Sequence, residues 1–337
     1  MKSTLLGLAV LLSLGTAGVA TTASAADKPG PAIIYDLGGK FDKSFNEGAY
    51  NGAERWKKES GKTYREFEIT NASQREQALR RFAKDGNNPI IVLGFAYEDA
   101  LTAVAKAYPK TQFGIVDDVV DLPNVASYIY RADEGSYLAG YLAAKTSKSG
   151  TIGFVGGMDI PLIRSFGCGY VQGAKAANPS IKVIQNMTGT TAAAWNDPGR
   201  GGELAKAQMA QGADIVYAAA GQTGLGVLQA AADEGKLSIG VDSNQNGLHP
   251  GKVLTSVLKH VDEAIYEGFK SGAAGTFKTG TNVLGLKQDG VGLAMDDNNK
   301  SLVSADNKAA IDAVTKDIVD GKTVVHDYQA DNACPVN

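Results

Sequence analysis

The sequence predicts a two-lobed α/β protein, each lobe a mostly parallel sheet flanked by helices, with a cleft between them. Short Val/Ile-rich runs alternate with amphipathic segments, the pattern of buried parallel strands joined by helical crossovers. Landmarks of the first half return in the second. Ser44-Phe45, Gly48 and Gly52-Ala53 reappear as Ser165-Phe166, Gly169 and Gly173-Ala174, and Gly38-Gly39 ahead of them as Gly156-Gly157. Spacing is kept as well, with 73 positions from Ser44 to Asp117 and 77 from Ser165 to Asp242.

Along the chain, Met1-Lys2 opens an apolar stretch that ends in Ala23-Ser24-Ala25. A positive start, a short apolar middle and a small-residue exit predict a signal peptide over residues 1–25. Ser13, Gly15, Thr16 and Thr21-Thr22 interrupt the run, leaving it short of the roughly 20 apolar residues a membrane span needs. No cysteine lies near this exit to carry a lipid, so a soluble, exported protein is expected. The first lobe is assigned to 26–130, with a return over about 260–280, and the second to 131–259, with about 281–337. Strands are expected at Ala32–Tyr35, Pro89–Leu93 and Phe113–Val116, with a helix over Ala49–Lys58; Asp214–Tyr217 and Ile239–Asp242 repeat two of the strands. Asn71 before Gln74, and Asp197 before Pro198, carry helix-start signals.

Composition excludes several functions. With 33 Lys and Arg against 36 Asp and Glu, and no basic run longer than a pair, the chain lacks the electrostatic footprint of a nucleic-acid binder. His249, His260 and His326 are scattered without the spacing of metal ligands, so no metal site and no cofactor are expected. None of them falls in the cleft-facing set, which removes the general base a hydrolase would need; the protein is read as a non-enzyme. Gly221-Gln222-Thr223-Gly224-Leu225-Gly226 lacks the G-x-G-x-x-G spacing and any following Walker lysine. Such glycines let backbone N–H groups approach a ligand. Cys168 and Cys334 form either one disulfide or two separate thiols.

Ligands of such sheets sit beyond the carboxyl ends of the strands. This places Phe45, Asn46, Gly94, Phe95 and Asp117 on one wall and Trp195, Gly221 and Asp242 on the other. Asp117 and Asp242 are each preceded by apolar strand residues, and a half-buried carboxylate there needs donors, from a ligand or from the next helix. Phe45 and Trp195 are either core aromatics or rings that stack on a planar base.

The residues resemble the basic membrane protein (BMP) family of ABC-transporter binding proteins, whose best-understood members are purine nucleoside receptors. The resemblance runs from about Ile33 to Asp262 and includes Phe41-Asp42-Lys43-Ser44-Phe45-Asn46, Gly135-Ser136-Tyr137-Leu138-Ala139-Gly140, Gly153-Phe154-Val155-Gly156-Gly157-Met158 and Gly240-Val241-Asp242-Ser243-Asn244-Gln245. It implies a type I periplasmic-binding fold, a nucleoside in the cleft and membrane permease subunits as partners, with the protein itself a periplasmic monomer. By the same resemblance Phe45 is a stacking ring, Asn46 a hydrogen-bonding partner and Asp117 the reader of the purine edge. Gly221, Asp242 and Lys259 then contact the ribose. Trp195 stands where the receptors carry a second phenylalanine. Another planar or sugar-like solute is the alternative within the fold, and an extracytoplasmic nucleoside-processing enzyme is the alternative from another class.

Overall fold

The computed structural model describes residues 29–336, so the expected signal peptide lies outside the described residues. Numbered in chain order, the first sheet contains β1 (Ala32–Tyr35), β2 (Arg65–Glu68), β3 (Ile90–Leu93), β4 (Phe113–Val116) and β5 (Val125–Tyr130). The second contains β6 (Thr151–Met158), β7 (Lys182–Gly189), β8 (Ile215–Ala219), β9 (Leu237–Asp242) and β10 (Val253–Lys259). Two late strands complete them, β11 (Gly280–Leu284) in the first and β12 (Val291–Leu293) in the second. The orders are β11-β5-β4-β3-β1-β2 and β12-β10-β9-β8-β6-β7. All pairings are parallel except β10 with β12.

The helices are α1 (Phe45–Ser60), α2 (Gln74–Lys84), α3 (Glu98–Ala107), α4 (Ala132–Thr146), α5 (Pro161–Ala177), α6 (Pro198–Ala210), α7 (Thr223–Asp233), α8 (Val261–Ala273) and α9 (Ala305–Val319). Strands β1, β3, β4 and β8 are buried at every residue, because helices cover both faces of a parallel sheet and no alternation is required. Two cores flank the first sheet. The second sheet likewise has one core built with α4 and α5 and another with α6 and α7.

The chain changes lobe between Tyr130 and Ala132, between Lys259 and Val261, and between Leu284 and Val291. The last change lies a few residues beyond the expected 280, because Gly280–Leu284 pairs with β5. The crossovers are tied together: Arg131 N donates to Leu284 O at 2.9 Å, His260 N to Gly290 O at 2.9 Å, and Tyr130 Oη to His260 O at 2.9 Å.

The repeated glycines have a packing role. A Cβ on Gly52 of α1 would lie 2.1 Å from Asp262 O of α8, and one on Gly173 of α5 would lie 1.9 Å from Tyr137 O of α4. In each lobe the helix that follows the first strand therefore touches, backbone to backbone, the helix that follows a crossover. Helix starts differ in outcome. Asp197 accepts from Arg200 N at 2.9 Å as a true cap. Asn71 instead begins a turn, and α2 starts at Gln74, whose Oε1 accepts from Thr70 N at 2.7 Å.

Cys168 of α5 and Cys334 are joined as a disulfide with Cα atoms 5.6 Å apart. The tail is also held by Gln172 Nε2 donating to His326 O at 2.9 Å, His326 N donating to Gln172 Oε1 at 3.0 Å, and Ser165 Oγ donating to Asp327 Oδ1 at 2.9 Å. Protein purified from an oxidising compartment should show no thiol to alkylating reagent until it is reduced, by mass. The double Cys→Ala variant should lose roughly 2–4 kcal/mol of stability in denaturant titration.

Candidate functional site

The carboxyl ends of the two sheets face each other across a cavity lined by residues of both lobes, the place where ligands of such sheets bind. Just past the end of β4 and at the end of β9, Asp117 (φ 72°) and Asp242 (φ 61°) adopt the left-handed conformation, which aspartate tolerates better than most residues. That turn points each carboxylate into the gap rather than along its sheet. Gly94 and Gly221, beyond β3 and β8, also have positive φ. A Cβ on Gly94 would press to 2.7 Å from Asp36 Oδ2, so glycine there makes room for a third carboxylate.

The loop ahead of α1 is shaped by Asp42, which is 3% exposed. Its carboxylate accepts from Ser44 N at 2.8 Å, Asn46 N at 3.0 Å and Glu47 N at 3.1 Å, satisfying the open N–H groups of the helix start. Asn46 is held in turn: its amide donates to Asp36 O at 3.3 Å and Gly39 O at 3.1 Å and accepts from Asp36 N at 3.3 Å. Asn46 therefore fixes the loop that presents Phe45.

Lys259 is the cation of the site. Its Nζ lies 2.5 Å from Asp117 Oδ2 and 4.8, 5.2 and 5.9 Å from the ring centres of Phe45, Tyr130 and Phe166. The other oxygen, Asp117 Oδ1, is buried without a hydrogen-bond partner. Asp242 accepts from Ser44 Oγ of the opposite lobe. Desolvation raises the Asp242 carboxyl above the usual aspartate range, opposed by the Lys259 charge and the Ser44 hydroxyl. Asp36 is raised for the same reason, while Arg75 Nη2, 2.9 Å from its Oδ1, pulls it back.

Trp195 closes one side, in a single 3₁₀ turn over Ala192–Trp195. A Cβ on Gly157 would lie 2.2 Å from Trp195 Cζ3, and one on Gly38 of the other lobe 3.5 Å from Trp195 Cβ. One glycine of each Gly-Gly pair noted in the sequence thus lies against Trp195, Gly157 against the ring and Gly38 against its Cβ.

Phe45, Asn46, Asp117, Trp195, Gly221, Asp242 and Lys259 all line this one cavity, together with Gly94 and Phe95. Sequence reasoning missed Asp36, Asp42 and Phe166, which line it too. Signals for two of them were present. Asp36 directly follows β1, as Asp117 follows β4, and Phe166 is the repeat equivalent of Phe45. His260 stands directly after β10, at a strand end where no histidine was expected. It lies outside this lining, with Nδ1 3.5 Å from Asp262 Oδ1.

Burial pushes the Asp42 carboxyl up to about 7 despite its three N–H donors. A carboxyl raised in the folded state stabilises fully below the unfolded value of about 3.9 and loses that contribution as the pH rises through the folded value. The stability of Asp42→Asn relative to the wild type should therefore increase between pH 5 and pH 8. Thermal unfolding of both proteins across that window measures the difference.

The model of the Bmp family, PnrA-like substrate-binding proteins of ABC transporters, matches residues 32–327. The ABC transporter nucleoside-binding protein BmpA of Lactococcus lactis is 35% identical over 318 residues, 87% of this chain and 88% of its own. An uncharacterized lipoprotein of Pyrococcus horikoshii is 35% identical over 277 residues, 77% of this chain and 67% of its own. Among solved structures, an ABC transporter solute-binding protein of Aeropyrum pernix K1 superposes with a TM-score of 0.79 at 26% identity, covering 88% of this chain and 94% of that one. With two α/β lobes in the type I periplasmic-binding arrangement and the family match over nearly all described residues, the chain belongs to the PnrA-like (Bmp) family of ABC-transporter substrate-binding proteins.

Proposed function

We propose that this substrate-binding protein takes up a purine nucleoside between its lobes and delivers it, unchanged, to the permease of its importer, acting as an exported monomer. The observation that carries the reading is Asp117 Oδ1, a buried carboxylate oxygen without a partner in a cleft bordered by the rings of Phe45, Phe166 and Trp195. An unsatisfied buried acceptor is costly, and the N–H groups of a base edge would satisfy it while the rings cover the base faces. Asp242 and Lys259 supply an acceptor and a donor suited to vicinal ribose hydroxyls. The nucleoside-binding name of the Lactococcus relative supports the same ligand class. Among the described residues no helix is long and apolar enough to cross a membrane; the Pyrococcus relative is named a lipoprotein, whereas the two cysteines of this sequence, Cys168 and Cys334, are joined to each other.

The charge of the lining narrows the ligand. Arg75 offsets Asp36 and Lys259 offsets Asp117, while Asp42 and Asp242 add further carboxyl groups to the lining, so among the described lining residues no cation is left for a phosphate. Calorimetry should give a Kd of about 1 μM or tighter, near −8 kcal/mol, for at least one of adenosine, guanosine and inosine. The matching 5′-monophosphate should bind at least about tenfold more weakly. No heat with any nucleoside, and heat with a sugar or a flavin, would remove the purine reading and leave a receptor for another solute.

The two aspartates should differ. Asp117→Ala should weaken a nucleoside and its free base by similar factors, on the order of 10-fold or more for a lost hydrogen bond to a charged group. Asp242→Ala should weaken the nucleoside more than the base. Equal losses for both ligands in both variants would reject this division of roles.

A further inference from the structure

Two motif segments that belong to different lobes meet beside the cavity. Ser243 Oγ donates to Ser44 O at 2.8 Å, and Gln245 Nε2 donates to Lys43 O at 2.9 Å. A third bond, from Ser44 Oγ to Asp242, lies between them and the cavity. Ser243 and Gln245 are not part of the cavity lining. All three bonds join residues about 200 positions apart in sequence, and opening the lobes at the crossovers would break them together.

The acceptors are prepared for this contact. Lys43 has φ 59°, a left-handed conformation that costs a lysine free energy. Asp42 holds the following N–H groups of the turn, while the carbonyls of Lys43 and Ser44 accept from the opposite lobe. On the other side, Gln245 is anchored before it reaches across. Its Oε1 accepts from Val241 N at 3.0 Å and its N donates to Ser256 Oγ at 3.0 Å. Gly48, one turn into α1, lets the segments approach, since a Cβ there would lie 3.3 Å from Ser243 Oγ.

We infer that Ser243 and Gln245 form a closure clasp: positioning residues that touch no ligand and set the fraction of the protein in the closed, binding-competent form. This rests on the reading of the cleft as one that closes over a solute, and it is independent of which solute that is. Apparent affinity scales with the competent fraction, so weakening the clasp lowers the affinity for every ligand by one common factor. A residue that contacts the ligand would discriminate among ligands instead.

Ser243→Ala tests the clasp with least disturbance, because Gln245 also supports β9. Adenosine and adenine are titrated against the wild type and the variant, dissociation rates are measured for both, and small-angle scattering is recorded without ligand. The expected result is a loss of roughly 2- to 10-fold, equal for the two ligands and carried by faster dissociation. Ser243→Thr, which keeps the hydroxyl, should restore most of it. Unchanged affinities and rates overturn the clasp, and so does a loss confined to adenosine, which would make Ser243 a sugar contact. If neither ligand binds, the purine reading fails and scattering alone decides. A more open ligand-free variant upholds the clasp, and coincident profiles reject it. Should Ser243→Ala fold poorly by thermal unfolding, a Gly48→Cys/Ser243→Cys pair replaces it; ready cross-linking without ligand supports the contact, and failure to cross-link rejects it.

Discussion

The structure turns on carboxylates that are buried at the tips of two sheets aimed at one another. A charge removed from water needs partners, and neither Asp117 nor Asp242 finds its side-chain partner within its own lobe. Asp117 meets Lys259 from the end of β10, and Asp242 meets Ser44 from the start of α1. Their left-handed backbone turns each carboxylate off its strand and into the gap. The lobes are therefore coupled through the same groups that would meet a ligand, so occupancy of the cleft and its closure are not independent.

Where Lys259 sits explains how one lysine serves several ends. It is the last residue of β10 and immediately precedes a lobe crossover, so it stands at the boundary between the two lobes. Rings from both lobes and from the first crossover surround its ammonium, and rings attract a desolvated cation. That environment keeps the charge in the cavity at 5% exposure of the residue, without a second carboxylate bonded to it, and leaves Asp117 Oδ1 open.

Much of this was legible in sequence, for identifiable reasons. Strands buried on both faces leave a plain apolar run, which is why β1, β3 and β4 were located to within a residue. The repeat of Ser-Phe, Gly and Gly-Ala survives because Gly52 and Gly173 stand where a helix backbone leaves no space for Cβ. What was hidden involved side-chain partners that no local pattern names. Nothing near Asn46 shows that its amide is held by Asp36 and Gly39, and nothing near Asp117 shows that Lys259, 142 positions on, takes one of its oxygens. Asp36 was overlooked although it obeys the strand-tip rule that found Asp117, because a lone aspartate after a strand also fits a turn.

The two halves repeat, yet a binding site arises where the repeat breaks. If the symmetry were complete, Ser165 would reach Asp117 as Ser44 reaches Asp242. Instead Ser165 donates to Asp327 of the C-terminal tail, the tail that Cys334 fastens to Cys168 on the same helix. The tail thus draws Ser165 away from the cleft, and Lys259 takes the place beside Asp117. One strand tip is closed by a hydroxyl from the facing lobe, and the other keeps an oxygen with no protein partner. A symmetric pair of latches would hold the lobes together but offer a solute nothing. Diverting one of them to the tail makes the gap a site with a direction, polar recognition at Asp117 and lobe-to-lobe contact at Asp242.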